Sequence, residues 1–182
     1  MKKYFIRYKP FLVFIGTFFF VYLTLTVLYQ WYLDSFDGIK TDFITRKVSD
    51  NTMQILSLFD KNVALEEDKY QPFIKFFYHQ KYVIRIVEGC NAISVIILFV
   101  SFVVAFSGKL MHTLFFVFSG SLLIYLLNIM RIAALIVLLY HFPNQEHLLH
   151  GVLFPLLIYG VVFFLWIIWV NTFSKYASKS AK

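Results

Sequence analysis

The stretch Leu127-Asn128-Ile129-Met130-Arg131-Ile132 decides how this chain is read. It lies inside an apolar run from Leu110 to Phe142, in which Arg131 is the only Asp, Glu, Lys or Arg. An arginine without a partner costs roughly 3 kcal/mol at the centre of a bilayer by insertion scales, and more by simulation. Such a residue has an ion-pair partner or a chemical job. The side chains that could meet it are Cys90 and His150.

Working outward, the rest of the chain supports a membrane setting. Hydrophobic residues make up 60% of the 182, charged residues only 15%, and Phe and Tyr alone supply 35. That is well outside the soluble average. The net charge of +7 has a simple location. Lys2, Lys3, Arg7 and Lys9 precede the first apolar stretch, and Lys175, Lys179 and Lys182 follow the last. These flanking charges read as topology signals rather than as a nucleic-acid surface. The single cysteine excludes an intramolecular disulfide and a cysteine-based zinc cluster. No cofactor and no metal are expected.

Phe11 to Leu33 has no charge and is long enough to span with some tilt. It is longer than a signal-peptide core and ends in Tyr29, Trp31 and Tyr32, an interface belt. It is read as an uncleaved signal anchor, 11–33. Residues 34–88 form the one long polar segment, with eight Lys/Arg and nine Asp/Glu. Ile44, Val48, Ile55 and Phe59 fall at helical spacing, which predicts an amphipathic helix over 41–59. Asp60-Lys61-Asn62 reads as a break. Phe73–Tyr78 and Lys81–Val87 predict a small β-hairpin leading into Cys90, against the alternative of an unstructured loop.

Asn91–Phe106 is the second span, Ser107-Gly108-Lys109 a turn, and Leu110 opens the third. The third run is too long for one straight crossing. Either one helix protrudes, or it breaks near Asn128 and 132–142 lies along the interface. Pro143-Asn144-Gln145-Glu146 is a turn, and Val152–Val170 the last span, belted by Trp166 and Trp169. The expectation is an all-α integral membrane protein with about four transmembrane helices. A fifth, short or interfacial helix is the alternative, and a small extracytoplasmic segment separates the first and second spans. Four crossings with basic tails at both ends make the termini cytoplasmic by the positive-inside rule. Within this single membrane domain, 89–172 carries the core spans and 173–182 the basic tail.

Depth can be measured at about 1.5 Å per helical residue. Arg131 lies 22 residues past Lys109, about 33 Å along the helix. Cys90 lies 18 residues before Gly108, about 27 Å, and His150 lies 19 residues before Trp169, about 29 Å. Three spans therefore carry a cysteine, an arginine and a histidine to one outer interface, about one hydrocarbon thickness of 30 Å away. Cys90 is expected at a helix N-terminus, where the dipole favours a thiolate. Arg85 would add to that effect and Glu88 oppose it. A histidine can take and return the thiol proton. An arginine can hold the oxyanion of a tetrahedral intermediate. Asn128, one turn before Arg131, shares its helix face and can steady the guanidinium.

Plainer readings exist for each residue. Cys90 can be a small buried hydrophobe, Arg131 can pair with Glu88 or Glu146, and His150 can simply sit at the interface. A non-enzymatic multi-pass subunit, such as an assembly factor or transporter component, would need Arg131 and not Cys90. Transporters usually place polar groups at mid-membrane and show repeats. This chain places them at one face and shows no repeat.

Glu88-Gly89-Cys90-Asn91-Ala92-Ile93-Ser94, then Asn128-Ile129-Met130-Arg131-Ile132, then His150 before the last apolar span, resemble the exosortase/archaeosortase family. The likeness covers about residues 82–172, and the compact size is most like the exosortase F type. The resemblance implies a membrane-embedded cysteine transpeptidase or peptidase of the bacterial cytoplasmic (inner) membrane. Its partners would be the lipid bilayer and exported proteins ending in a sorting signal, namely a short motif, a transmembrane helix and a basic tail. Cys90 would be the nucleophile, Arg131 the oxyanion or substrate stabiliser, His150 the general acid/base and Asn128 a supporting residue. His147 is a rival to His150, but His150 stands immediately before the apolar span. Many family members have Ser or Thr after the cysteine, where this chain has Asn91, and many are longer.

Overall fold

The computed structural model describes residues 2–36, with side chains from Tyr8, and residues 40–106 and 108–173. Ser107, in the expected turn, and 174–182, the basic tail, lie outside the described residues. The chain opens with α1 (Lys2–Asp34), an apolar helix none of whose most hydrophobic residues is buried by the protein. Unburied apolar surface on that scale suits lipid rather than water.

Next comes α2 (Phe43–Ser57). The Asp42 carboxylate accepts the Thr45 N–H at 3.0 Å, a cap worth about 1 kcal/mol. The helix is amphipathic as expected, but its buried stripe is Thr45, Val48, Ser49, Thr52 and Leu56. Of the four residues expected to mark that face, only Val48 is fully buried. Phe59 is 86% exposed because the helix ends at Ser57. The inward hydroxyls remain satisfied: Ser49 donates to the Thr45 carbonyl at 2.9 Å and Thr52 to that of Val48 at 2.8 Å.

A three-stranded antiparallel sheet follows, in the order β1 (Val63–Glu67), β2 (Ile74–Tyr78), β3 (Lys81–Ile86). The β2–β3 hairpin is the expected one, and β1 adds a third strand beyond that expectation. The hairpin turn is His79-Gln80, both at positive φ, 49° and 62°. Two-residue hairpin loops need that conformation, usually from Asn or Gly. Here the His79 ring sits 2.7 Å from the Asp60 carboxylate and stacks on Tyr140. The Asn62 N–H and the Tyr78 hydroxyl hold Asp60 below the ordinary aspartate range. A carboxylate with a depressed folded pKa stabilises the fold above its unfolded pKa of about 4. That contribution is lost as pH falls through the lower folded value.

Two helices then form a hairpin. The short α3 (Ile93–Ala105) contacts α1 and α4 (Leu110–His141), as well as the last helix. Of the two readings of 110–142, the single protruding helix is the observed one. α4 is unbroken through Asn128 and about 48 Å long, well beyond a hydrocarbon core of about 30 Å. Its C-terminal third is covered by protein. Ile129, Ile132, Ala133 and Ile136 share a core with Val48 and Leu56 of α2 and with Phe76, Tyr78 and Ile86 of the sheet. Nearer its start α4 approaches α3 closely, since a Cβ on Gly120 would run into the Phe99 ring.

After short turns, the chain returns as α5 (Phe154–Ile168). Phe154 packs on Leu135 and Leu139, and Val162 on Phe99 and Ile124. The Trp169 Nε1–H donates to the Phe106 carbonyl at 3.2 Å. Phe14 of α1 also meets Phe106, ring to ring at 4.5 Å. α1 and α4 therefore run in one direction and α3 and α5 in the other. Among the described residues, three helical stretches are long and apolar enough to cross a bilayer: Tyr8–Asp34, Leu110–His141 and Pro143–Phe173. The fourth apolar helix, α3, has 13 residues.

Candidate active site

Cys90 sits where the sheet meets the helices. From Ile86 the chain passes through extended Val87 into a 3-10 turn, Glu88–Cys90, and α3 begins only at Ile93. Cys90 is thus in the turn before the helix, not on its first residues as expected, so the α3 dipole reaches it less directly. The turn is pinned on both sides by backbone contacts. The Cys90 N–H donates to the Val87 carbonyl at 2.8 Å, and the Cys90 carbonyl accepts the Asn128 Nδ2–H at 2.7 Å.

Asn128 is fully buried and joins two of the expected site residues. Its Oδ1 accepts from Arg131 Nη1 at 3.3 Å, one helical turn away. Arg131 itself is half-buried, and its Nε is buried without a partner. Among the described residues no carboxylate forms an ion pair with it, so neither Glu88 nor Glu146 neutralises the guanidinium.

Cys90, Arg131 and His150 line one cleft of ≈ 380 Å³. β3 and Val87 form one wall, and Arg131, Ile132, Leu135 and Leu139 of α4 the other. Glu146 and His150, one helical turn apart, close it. His150 occupies a π-helical turn, Leu149–Leu153, that runs into α5. It is exposed, and the rival His147 does not line the cleft. No hydrogen bond joins the three side chains directly among the described residues. Arg85 also lines the cleft, with its guanidinium 5.5 Å over the Phe73 ring.

Asn91, expected at the start of the second span and as a departure from a family pattern, is the best-connected side chain beside the cysteine. It is 1% exposed. Its Oδ1 accepts the Ile93 N–H at 3.0 Å, and its Nδ2 donates to Tyr29 Oη at 2.7 Å and Thr45 Oγ1 at 3.0 Å. One residue therefore receives the first N–H of α3, just before the N-cap Ala92, and ties that helix to α1 and α2. The signal was present, since Asn is a favoured capping residue and stands just before an apolar run. The neighbouring Ala92 takes φ 65°, a left-handed conformation that needs such support. Asn91→Ala is expected to cost about 2–3 kcal/mol, from the lost cap and two stranded partners. A thermal midpoint in detergent equal to wild type would remove this role.

The fold is that of a multi-pass helical membrane protein in which a thiol, an imidazole and an unpaired guanidinium share one cleft. That set of groups suits acyl transfer. The family described as Transmembrane exosortase (Exosortase_EpsH) matches residues 9–171, and the chain belongs to it. No curated protein and no solved structure matches the chain. Membership makes it a membrane transpeptidase of the kind involved in protein sorting.

Proposed function

We propose that this chain is a cysteine transpeptidase or peptidase that cleaves C-terminal sorting signals from exported proteins at the outer face of the bacterial cytoplasmic membrane. The observation that carries the reading is the single cleft shared by Cys90, Arg131 and His150 in a chain of this family. His150 accepts the thiol proton, and Cys90 Sγ attacks the carbonyl carbon of the scissile peptide. The Arg131 guanidinium holds the oxygen that becomes negative. As the intermediate collapses, the C–N bond breaks and His150 returns the proton to the leaving amine. That amine departs with the transmembrane helix and basic tail. The exported part remains as a Cys90 thioester until an acceptor amine, or water, takes the acyl group and restores the thiol. The Gly89–Ser94 wording favours the exosortase F type.

In the proposed topology α1, α3, α4 and α5 all cross, with 11–33 as signal anchor, 34–88 outside, 89–172 as catalytic core and 173–182 as cytoplasmic tail. Support comes from Phe14 and Trp169, which both meet Phe106 at the end of the bundle away from Cys90. Reporters fused at Lys182 and within 66–69 should report opposite sides of the membrane; the same side from both would remove the outer-face assignment. The activity itself is tested with an exported reporter carrying a motif, helix and basic tail from a neighbouring gene product. Its anchor should be lost, as a mobility shift, only when this chain is present.

A further inference from the structure

Six consecutive residues of the cleft wall, Tyr82 to Val87, belong to β3 and its continuation. A sheet face presents every second residue; only an edge presents residues in succession. β3 is terminal in the sheet, so its outer edge has no neighbouring strand. Among the described residues no backbone hydrogen bond outside the sheet involves Tyr82–Ile86, and Val87 is engaged only through its carbonyl with Cys90 N–H. The cleft is therefore walled by unpaired main-chain donors and acceptors, which are a template for another strand.

The edge also has direction. Lys81 at its start lies over Tyr140, near the outer end of α4, and its continuation ends at Cys90, beside Asn128. Facing it are Arg131, Leu135 and Leu139, on one side of α4. From Leu139 to Arg131 the helix rises about 12 Å. An extended peptide covers that distance in about four residues.

We propose that the free edge of β3 is the acyl-side substrate subsite. It takes an extended peptide of about four residues as an added strand and delivers its carbonyl end to Cys90 and Arg131. The occupant is the segment immediately before the substrate's transmembrane helix, so the inference rests on the function proposed above. With the exported part outside and the anchor in the bilayer, that segment runs parallel to β3. α4 covers one face of the sheet, through Phe76, Tyr78 and Ile86. Alternate side chains of the added strand therefore face Leu135 and Leu139, which favours apolar residues at those positions. The remaining affinity comes from main-chain hydrogen bonds and is indifferent to sequence.

The test uses the full chain in membranes and acetyl-peptide chloromethyl ketones of one and four alanines. Alkylation forms an Sγ–C bond as chloride leaves. Because chloromethyl ketones also alkylate histidine, labelling of Cys90, the one cysteine of the chain, is read as the mass that the wild-type chain gains and Cys90→Ala does not. The tetrapeptide should label faster than the single residue. N-methylation of one alternate pair of amides should slow it roughly tenfold, the effect of two lost hydrogen bonds. Methylation of the other pair, which points away from β3, should leave the rate within about twofold. Rates independent of length, or equal for both methylation patterns, overturn the strand subsite. If processing still requires Cys90 in that case, the proposed function stands without it. If processing survives Cys90→Ala, the proposed function fails as well.

Discussion

Cys90→Ala should stop processing of the substrate, by at least about a thousandfold, while the protein persists in the membrane at wild-type amounts. The two halves of this result have separate causes. Persistence follows from how the turn is held. Its bonds run from the Cys90 N–H to Val87 and from Asn128 to the Cys90 carbonyl, and neither uses the side chain. The thiol is only partly buried, so removing one sulfur costs little packing. Loss of processing follows from the proposed chemistry, because the chain has no second thiol to take the place of Cys90. Cys90→Ser should fail too, because a hydroxyl is far harder to ionise than a thiol with an ordinary pKa of about 8.5. The measurement pairs the mobility shift of the substrate with an immunoblot of the membrane fraction. A structural cysteine predicts otherwise, with both variants active or both lost from the membrane. Processing by the alanine variant at wild-type rate would end the enzymatic reading.

What could be read in advance was what membranes impose on composition and spacing. The helix that carries Arg131 is legible in apolar run length, and helical rise predicts one level for Cys90, Arg131 and His150, which line one cleft. The fate of the surplus length of α4 did not. Residues such as Ile132 and Ile136 are equally apolar whether lipid, an interface or protein covers them, and here the covering is α2 and the sheet. Hydrophobic patterning found α2 but marked its buried face incompletely, for a related reason. Thr45, Ser49 and Thr52 face inward because local carbonyls and Asn91 satisfy their hydroxyls, so polarity did not mark the solvent side. β1 escaped notice because Val63–Glu67 is short, nowhere fully buried, and ends in two glutamates. The His79-Gln80 turn lacks the Asn or Gly that usually announces a tight hairpin. Asn91 was visible as a capping residue, but its partners Tyr29 and Thr45 lie 62 and 46 residues away. No local pattern reaches that far.

Arg131→Lys is the sharper substitution, because it keeps the charge and removes only the geometry. Arg131 spends Nη1 on Asn128, whose other end holds the Cys90 carbonyl, while its Nε is buried and unpaired. A planar guanidinium can make the Asn128 contact and still present parallel N–H groups to an oxygen in the cleft. A lysine ammonium is a single point on a flexible stem. It can serve Asn128 or the oxyanion, but its donors cannot reach both in a fixed plane. Loss of one aligned donor to an oxyanion costs about 2.7–4 kcal/mol, or a hundred- to thousandfold in rate. Processing should fall by that factor while insertion and membrane abundance stay unchanged, since the charge at that depth is the same. Alkylation of Cys90 by iodoacetamide should continue in the lysine variant, because that reaction needs the thiolate and develops no oxyanion. A variant that alkylates normally yet fails to process would assign Arg131 to the transition state. A variant that processes at full rate would reduce it to a charge that the fold tolerates.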